Sequence, residues 1–203
     1  MTLEVKISRK LIPYKSAFNF LKKRVDTLKK GKGNDLLWIL EHPLTFTSGI
    51  RSKKKEILDK KIKIIKTNRG GKITLHNPGQ KIVYIALDLN NKKKDIRNLV
   101  GQIENSIIEF LKLYNIKSNS DKENIGIWVR GKKIAAIGIR VSQWIAYHGC
   151  SININNNLKH YKKIIPCGLD NNKVTSMEKE SKKEMINIER NLKKIFIKNL
   201  KNI

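Results

Sequence analysis

Apolar residues recur every three or four positions in three stretches of the chain, a spacing that predicts amphipathic helices. The first stretch covers residues 14–30 and ends at Gly31, the second covers residues 95–114, and the third begins near residue 178. In the third helix, the residues predicted to face inward are Met185, Ile186, Leu192, Ile195 and Phe196.

Short apolar runs bounded by turn residues predict strands between these helices. The predicted strands are residues 36–40, 62–66, 73–76, 81–89, 125–129, 134–141 and 144–154. The last of them is interrupted at His148-Gly149, because glycine weakens a strand. Strands that follow one another without a regular alternation with helices indicate an α+β fold with antiparallel strands and helices packed on them. A length of 203 residues fits one domain, residues 1–203.

Composition places the chain among globular proteins, with 39% hydrophobic and 30% charged residues. No apolar run approaches the roughly 20 residues that span a bilayer. The first ten residues lack the apolar core of a signal peptide. Two cysteines, Cys150 and Cys167, provide no disulfide framework for a chain of this size. We therefore expect a cytoplasmic protein with free thiols.

The formal net charge is +27, from 44 Lys and Arg against 17 Asp and Glu. One interpretation is an acidic partner, such as a nucleic acid, an anionic membrane surface or an acidic protein. The other is codon bias, since Lys, Asn and Ile are the residues that an AT-rich genome supplies in excess. Lysines occur in every segment rather than in one block, which favours bias as the main cause, and both interpretations can hold together.

Cys167 is the candidate nucleophile, in the tight turn Pro166-Cys167-Gly168. A thiol needs a nearby base or cation to become a thiolate at neutral pH. Lys133 opens a strand of small apolar residues, where burial would make it usable as a general acid or base. From the residues alone, an inert turn cysteine and an ordinary strand-edge lysine remain open alternatives. Cys150, inside a strand, favours a packed core thiol.

Residues 69–80, RGGKITLHNPGQ, contain more turn-forming residues than a surface hairpin requires. Adjacent glycines let a backbone approach a ligand closely and expose its amides. Neither common phosphate-binding fingerprint occurs, and the four histidines and two cysteines show no zinc-ligand spacing.

Four strings occur in order: RGGKITLHNPGQ at 69–80, GKKIAAIGIRV at 131–141, YHG at 147–149 and PCGL at 166–169. Together with EHP, TSG and VTSM elsewhere, they make residues 36–177 resemble the lipoyl(octanoyl) transferase family. The resemblance implies a single α+β domain, with a mixed, mostly antiparallel sheet flanked by helices, similar to the catalytic domains of biotin and lipoate protein ligases.

The resemblance also implies the reaction, transfer of octanoyl from octanoyl-acyl carrier protein to a specific lysine of lipoyl domains. This is a first step of endogenous protein lipoylation. The acceptors implied are the lipoyl domains of 2-oxoacid dehydrogenase E2 subunits and the glycine-cleavage H protein. No cofactor, metal, membrane or specific nucleic acid is implied.

By position, the resemblance makes Cys167 the thioester-forming nucleophile and Lys133 the group that lowers its pKa, with His148 in a supporting role. The implied substrate-binding residues are Arg69, Gly70, Gly71, Lys72, Ile73, Thr74, Leu75, His76, Ala136, Ile137, Gly138, Gly149, Cys150 and Ser151.

Two positions depart from the family pattern. Leu75 replaces an aromatic residue and Asn77 replaces a glycine. Leucine keeps an apolar wall, and asparagine tolerates positive φ better than other non-glycine residues, so we expect both the wall and the turn to survive.

Three other functions compete with the octanoyl transfer. An ATP-dependent lipoate or biotin protein ligase shares the fold but needs no nucleophilic cysteine, so Cys167 argues against it. A nucleic-acid-binding module fits the charge, but the chain shows no recognised binding motif and no set of interleaved aromatic residues. A degenerate, inactive relative is disfavoured by the presence of both Lys133 and Cys167.

Overall fold

Two apolar strands, β6 (Gln80–Asp88) and β10 (Ile145–Asn153), pair antiparallel along their length at the centre of the larger sheet. The computed structural model describes residues 2–121, 123–165 and 173–203. β2 (Asp35–Leu40) flanks β6 on one side, and β9 (Lys132–Ser142) flanks β10 on the other. Every side chain of β2 and β10 is buried, because helices or loops cover both faces of the sheet.

The edges of this sheet are β1 (Leu3–Ile7) beside β2, and β8 (Ile127–Val129) followed by β7 (Asn119–Ser120) beside β9. The strand order is β1-β2-β6-β10-β9-β8-β7. β1 and β2 run parallel, and the other described neighbours run antiparallel. The predicted mixed, mostly antiparallel sheet is thus confirmed.

Helices cover both faces of the larger sheet, because alternate side chains of its strands point to opposite sides. α1 (Tyr14–Lys29) packs on the face that carries Trp38 and Tyr84. α2 (Ile96–Lys112) and α4 (Ile188–Leu200) pack on the opposite face. Within the described residues, none of the helices combines the length and the apolar character required to cross a membrane.

A second, smaller sheet has the order β4-β3-β5, formed by β3 (Thr45–Ser48), β4 (Ile64–Lys66) and β5 (Ile73–His76). β3 runs parallel to β4 and antiparallel to β5. Two short 3₁₀ turns, Lys54–Glu56 and Leu158–Lys163, lie outside the sheets. The core of this part consists of Phe46, Ile73, Leu75, Tyr161 and Ile164.

The C-terminal region differs from the prediction of one helix from about residue 178. A single turn, α3 (Met177–Glu180), is separated from α4 by an irregular segment that ends at Asn187, which has a φ of 56°. Leu192, Ile195 and Phe196 are buried as predicted. Ile186 is 55% exposed, so its predicted inward position is wrong, because it lies in the irregular segment and not on the helix.

We expect Leu192→Ala to destabilise the protein by about 2–5 kcal/mol, because it leaves a cavity between α2 and α4. Ile186→Ala, in the exposed segment nearby, should change the free energy of unfolding by less than about 0.5 kcal/mol. Urea unfolding of both variants measures this difference. Equal losses would contradict the packing of α4 described above.

Candidate active site

A cleft opens between the turn at Arg69-Gly70-Gly71 and the central strands β9 and β10. It contains about 490 Å³ of empty space, counted to its open mouth, and most of its walls are apolar. The residues that line it are Tyr14, Arg69, Gly71, Lys72, Thr74, His76, Ile82, Tyr84, Ala136, Ile137, Gly138, His148, Gly149, Cys150 and Ser151.

Arg69 holds the first wall of the cleft together. Its Nη2 donates to both the backbone oxygen and the hydroxyl of Thr47, each at 2.9 Å, and its Nη1 donates to the carbonyl of Gly70 at 3.0 Å. The turn also lies in close contact with Gly49, where a Cβ would be 2.4 Å from the carbonyl oxygen of Gly71. The TSG and RGG strings of the sequence are therefore two halves of one packed turn.

The opposite wall is formed by β9 and β10, in which small residues face one another across the ladder. Gly138 pairs with Gly149, and Ala136 pairs with Ser151. A Cβ on Gly70 would lie 2.8 Å from the carbonyl oxygen of Ile139, so only a glycine lets the turn lie this close to β9. The cleft is thus narrow because residues with little or no side chain let the turn lie close to the sheet.

β10 continues through His148-Gly149 instead of being interrupted there, and keeps its pairing with both neighbours. His148 and Gly149 have φ values of 71° and 155°, which break the regular strand geometry. The adjacent rings of Tyr147 and His148 therefore stack 4.9 Å apart on one face, whereas a regular strand would alternate them, and Cys150 packs into the core on the other face.

Histidines and aromatic rings fill one end of the cleft. The His76 ring stacks on Tyr14 with ring centres 5.8 Å apart, and the His42 ring lies 5.6 Å from it. Nδ1 of His42 contacts the carbonyl oxygen of Ile12 at 2.6 Å. A carbonyl can only accept, so this nitrogen carries the proton and His42 Nε2 accepts from the Tyr84 hydroxyl at 2.9 Å.

Burial keeps these histidines neutral. The pKa of His76 is lowered to about 3, mainly by burial and also by the neighbouring His42 and Arg69. The pKa of His148 is lowered to about 3 as well, by burial and by the charges of Arg69 and Arg140. Burial also raises the pKa of the Cys150 thiol, which keeps it protonated, as expected for a core thiol. The described titratable side chains of the cleft interior thus carry little charge apart from Arg69 and Lys72.

Lys133 lies on β9 three residues before Ala136, outside the residues that line the cleft. Its side chain is buried, and Nζ donates to the carbonyl of Ile125 at 2.8 Å and lies 5.2 Å from the ring centre of Trp128. A Cβ on Gly126 would lie 2.4 Å from Lys133 Cε, so this glycine makes room for the lysine.

The backbone of Lys133 pairs with the segment that follows residue 172. Its N–H donates to the carbonyl of Lys173 at 2.7 Å, and its own carbonyl accepts from the N–H of Thr175 at 3.0 Å. Cys167, with Pro166 and Gly168, lies outside the described residues. A meeting of Lys133 with Cys167 therefore stays a prediction.

The structure brings most of the predicted pocket residues to one cleft. Arg69, Gly71, Lys72, Thr74, His76, Ala136, Ile137, Gly138, His148, Gly149, Cys150 and Ser151 all line it. Ile73 and Leu75 do not, because they lie on the other face of β5 and pack against Tyr161 and Ile164. Gly70 contributes its close approach to β9 and does not line the cleft.

The structure also shows where the two residues that depart from the family pattern, Leu75 and Asn77, lie. Leu75 is fully buried away from the cleft, so its exchange for an aromatic residue does not alter the cleft wall. Asn77 does not adopt positive φ, contrary to the expected reason for its tolerance; Gly79, at 84°, does. Asn77 instead donates from its side chain to the carbonyl of Asn157 at 2.9 Å.

Tyr14, Ile82 and Tyr84 line the cleft but were not predicted from the sequence. Tyr84 and Ile82 were interpreted only as strand residues. Tyr14 is the first residue of α1 and is far in sequence from the motifs that identified the cleft. Gln80, at the start of β6, was also not predicted. It is fully buried, and a buried glutamine needs hydrogen-bond partners.

Solved structures show the class of fold. Lipoate-protein ligase A bound with ATP matches with a TM-score of 0.77 and 12% identity, over 98% of this chain and 86% of that chain. The bipartite lipoate protein ligase of Thermoplasma acidophilum matches with a TM-score of 0.73 and 12% identity, over 98% and 85%. The fold is that of the lipoate protein ligases, as the sequence predicted.

Sequence comparison shows the family. The model of the lipoyl protein ligase A/B catalytic domain matches residues 13–201. The octanoyltransferase of Wolbachia pipientis from Culex pipiens is 42% identical over 178 residues, 85% of this chain and 87% of that protein. The octanoyltransferase of Ehrlichia chaffeensis is 42% identical over 183 residues, 87% and 86%. The chain belongs to the lipoyl protein ligase A/B catalytic domain family, and it is an acyltransferase.

We expect stability to fall between pH 7 and pH 5, before most carboxylates titrate. Because the folded-state pKa of His76 and of His148 lies near 3, the unfolded chain binds more protons below about pH 6.5. The stability that depends on these two neutral rings is fully present above that pH and is lost as the pH falls toward 3. Each histidine should remove about 2 kcal/mol at pH 5 relative to pH 7.

Urea unfolding of the protein and of His76→Leu at both pH values measures this dependence. The difference between the two pH values should be smaller in the variant by about 2 kcal/mol. Equal stability at pH 5 and pH 7 in the unmodified protein would contradict the neutral, buried state of these rings.

Proposed function

We propose that the protein transfers an octanoyl group from octanoyl-acyl carrier protein to a specific lysine of lipoyl domains, through a thioester on Cys167. The observation that supports this most is the narrow apolar cleft, which combines the small residues of β9 and β10 with the glycine-rich turn. The 42% identity to proteins called octanoyltransferase supports the choice of acyl group.

The cleft suits a straight saturated chain. Ile82, Ala136 and Ile137 offer apolar walls, and the paired glycines Gly138 and Gly149 leave a channel beside the sheet. Burying a methylene group in such walls contributes about 0.8 kcal/mol. An eight-carbon chain therefore gains most of its binding energy from contacts that involve no charge.

The burial and contacts of Lys133 support a proton-transfer role for this residue. Its ammonium has three N–H donors, and one is used by the carbonyl of Ile125. A buried cation next to a thiol stabilises the thiolate. Segment 173–175, which pairs with Lys133, follows Cys167 by only a few residues along the chain, and this supports the proposed pairing of the two residues.

The proposed reaction has two steps. The Cys167 thiolate attacks the carbonyl carbon of the carrier thioester, the C–S bond to the carrier breaks, and the carrier thiolate takes a proton from Lys133. The lysine amine of the lipoyl domain then attacks octanoyl-Cys167. The second C–S bond breaks and releases the Cys167 thiolate, the amide forms, and Lys133 accepts the proton that the amine loses. The thioester-to-thioester exchange is nearly balanced and amide formation is downhill, so the proposed route consumes no ATP.

The proposed acceptors are the lipoyl domains of 2-oxoacid dehydrogenase E2 subunits and the glycine-cleavage H protein, and the proposed compartment is the cytoplasm. The free Cys150 thiol, buried in the core, fits a reducing compartment.

Incubation with octanoyl-acyl carrier protein should add one octanoyl mass to the protein, which hydroxylamine removes. Cys167→Ala should show no such adduct. Lys133→Ala should form the adduct at least about 100-fold more slowly, the usual size of a lost general acid–base group. Lys132→Ala is the matched control, because Lys132 is the exposed neighbour on the same strand. Intact-mass spectrometry over time provides the measurement.

Full transfer by Cys167→Ala would disprove the thioester route. The same assay without ATP separates this proposal from an ATP-dependent ligase, which shares the fold. Strict dependence of transfer on ATP would show the ligase to be the correct function.

We expect salt to affect the encounter with the acidic carrier more than the chemistry. With a net charge of +27, attraction to an acidic protein weakens as the Debye length falls from about 10 Å at 0.1 M to about 3 Å at 1 M. Raising the salt concentration should therefore increase KM for the carrier more than it lowers kcat. Steady-state kinetics across salt concentrations test this, and identical kinetics at low and high salt would contradict electrostatic steering.

A further inference from the structure

A line of hydrogen bonds runs from His76 in the cleft to the backbone beside Lys133. His76 Nδ1 contacts Gln80 Oε1 at 2.8 Å, and Gln80 Nε2 contacts Asn153 Oδ1 at 2.9 Å. Asn153 Nδ2 contacts the carbonyl oxygen of Thr175 at 2.9 Å, and the N–H of Thr175 donates to the carbonyl of Lys133. Gln80 is fully buried and Asn153 is nearly so.

The direction of every bond in this line follows from its last member. A backbone carbonyl can only accept, so the amide nitrogen of Asn153 must face Thr175 and its oxygen must face Gln80. That oxygen needs a donor, so Gln80 turns its own nitrogen toward Asn153 and its oxygen toward His76. Nδ1 of His76 must then carry a proton.

The hydroxyl of Tyr161 joins the same line of hydrogen bonds. Its hydroxyl oxygen lies 3.1 Å from Gln80 Nε2, from which it accepts, and 3.4 Å from Asn153 Oδ1, to which it donates. The opposite orientation of Gln80 would place its oxygen against the Asn153 oxygen. The contact with Asn153 therefore fixes which edge of the glutamine faces the histidine.

We propose that Gln80 and Asn153 are positioning residues that hold His76 in its Nδ1–H tautomer and thereby present the Nε2 lone pair to the cleft as an acceptor for a substrate N–H. A neutral imidazole has one donor and one acceptor nitrogen, and the donor is taken by Gln80. His76 lines the cleft, and within the described part of the chain no group hydrogen-bonds its Nε2.

The surroundings of the ring preserve this acceptor across the neutral pH range. Positive charge on the ring is opposed by Arg69, and the rings of His42 and His148 also face it. Tyr14 stacks on its face and supplies no negative charge at neutral pH, because burial raises the pKa of its hydroxyl. His76 thus accepts a hydrogen bond without serving as the base that removes a proton.

The inference rests on the proposed octanoyl transfer for the identity of the substrate. The octanoyl chain carries no N–H, so the donor belongs to one of the two other partners. One source is an amide of the carrier's pantetheine arm, and the other is the lysine amine of the lipoyl domain. Both present the same chemistry to Nε2, and kinetics of the two half-reactions separate them.

The tautomer can be observed directly in the full-length protein labelled with ¹⁵N-histidine. Long-range proton–nitrogen correlation spectra should show His76 as the neutral Nδ1–H form, unchanged from pH 5.5 to pH 8.5, with His76→Leu identifying its signals. A protonated Nε2, or a titration midpoint within that range, would overturn the proposal. This measurement requires no turnover, so it stands even where octanoyl transfer is not detected.

Substitution of Gln80 tests its positioning role. Gln80→Leu removes the acceptor for Nδ1–H, so signals of the Nε2–H form should appear. Gln80→Glu keeps an acceptor but places a negative charge beside the ring, so His76 should begin to titrate at a higher pH than in the unmodified protein. Asn199→Leu, at a buried amide between α2 and α4, is the control and should leave the His76 signals unchanged. An unchanged tautomer in Gln80→Leu would overturn the positioning role.

Kinetics complete the test. Gln80→Leu should raise KM in one half-reaction about 3- to 10-fold, the value of one hydrogen bond, with a smaller change in kcat. An effect on formation of the acyl-enzyme assigns the N–H to the carrier arm, and an effect on transfer to the lipoyl domain assigns it to the lysine. Either result supports the proposal, whereas an altered tautomer with both half-reactions unchanged would overturn it.

Discussion

The close contact between Gly149 and the carbonyl of Val83 is the constraint on which the cleft depends. A Cβ at Gly149 would lie 1.9 Å from that oxygen, closer than any side chain can come. With glycine there, β10 passes through two positive φ values without losing its pairing to β6 and β9. The central sheet therefore keeps its hydrogen bonds while the consecutive side chains of Tyr147 and His148 lie on one face.

Desolvation then determines the chemistry of the cleft. The rings of His42, His76 and His148 are buried among aromatic side chains, and the loss of water favours their neutral forms. Arg69 keeps its charge, but its guanidinium is bound to Thr47 and Gly70 and so holds the turn in place. The mostly apolar walls of the cleft therefore suit an uncharged acyl chain.

Sequence reasoning recovered the features that depend on local pattern. The apolar spacing located α1 and α2, and the motif strings identified most residues that line the cleft. It failed where the outcome depends on tertiary pairing. β1, a short edge strand, forms only because β2 pairs with it in parallel. Ile73 and Leu75 have the composition of a pocket wall, but the pleat of β5 turns them toward Tyr161 and Ile164.

The hydrogen-bond line through Gln80 could not be predicted for a related reason. Gln80, Asn153 and Thr175 are distant in sequence, and nothing in their spacing shows that they meet. The pairing of β6 with β10 places Gln80 opposite Asn153, and the pairing of Lys133 with the segment after residue 172 brings Thr175 to the same place.

Most of the positive charge of the protein lies on its surface, although Arg69 and Lys72 also line the cleft. Among the described lysines that lie in ion pairs, Lys81 contacts Glu41 and Glu189, and Lys92 contacts Asp35. Most of the remaining lysines are exposed, where they act on an approaching partner through solvent and are screened by salt. Lys133 is the exception, because its burial between Ile125, Gly126 and Trp128 removes it from that screening. Salt therefore separates the two sets by experiment, because it screens the exposed lysines much more than the buried Lys133.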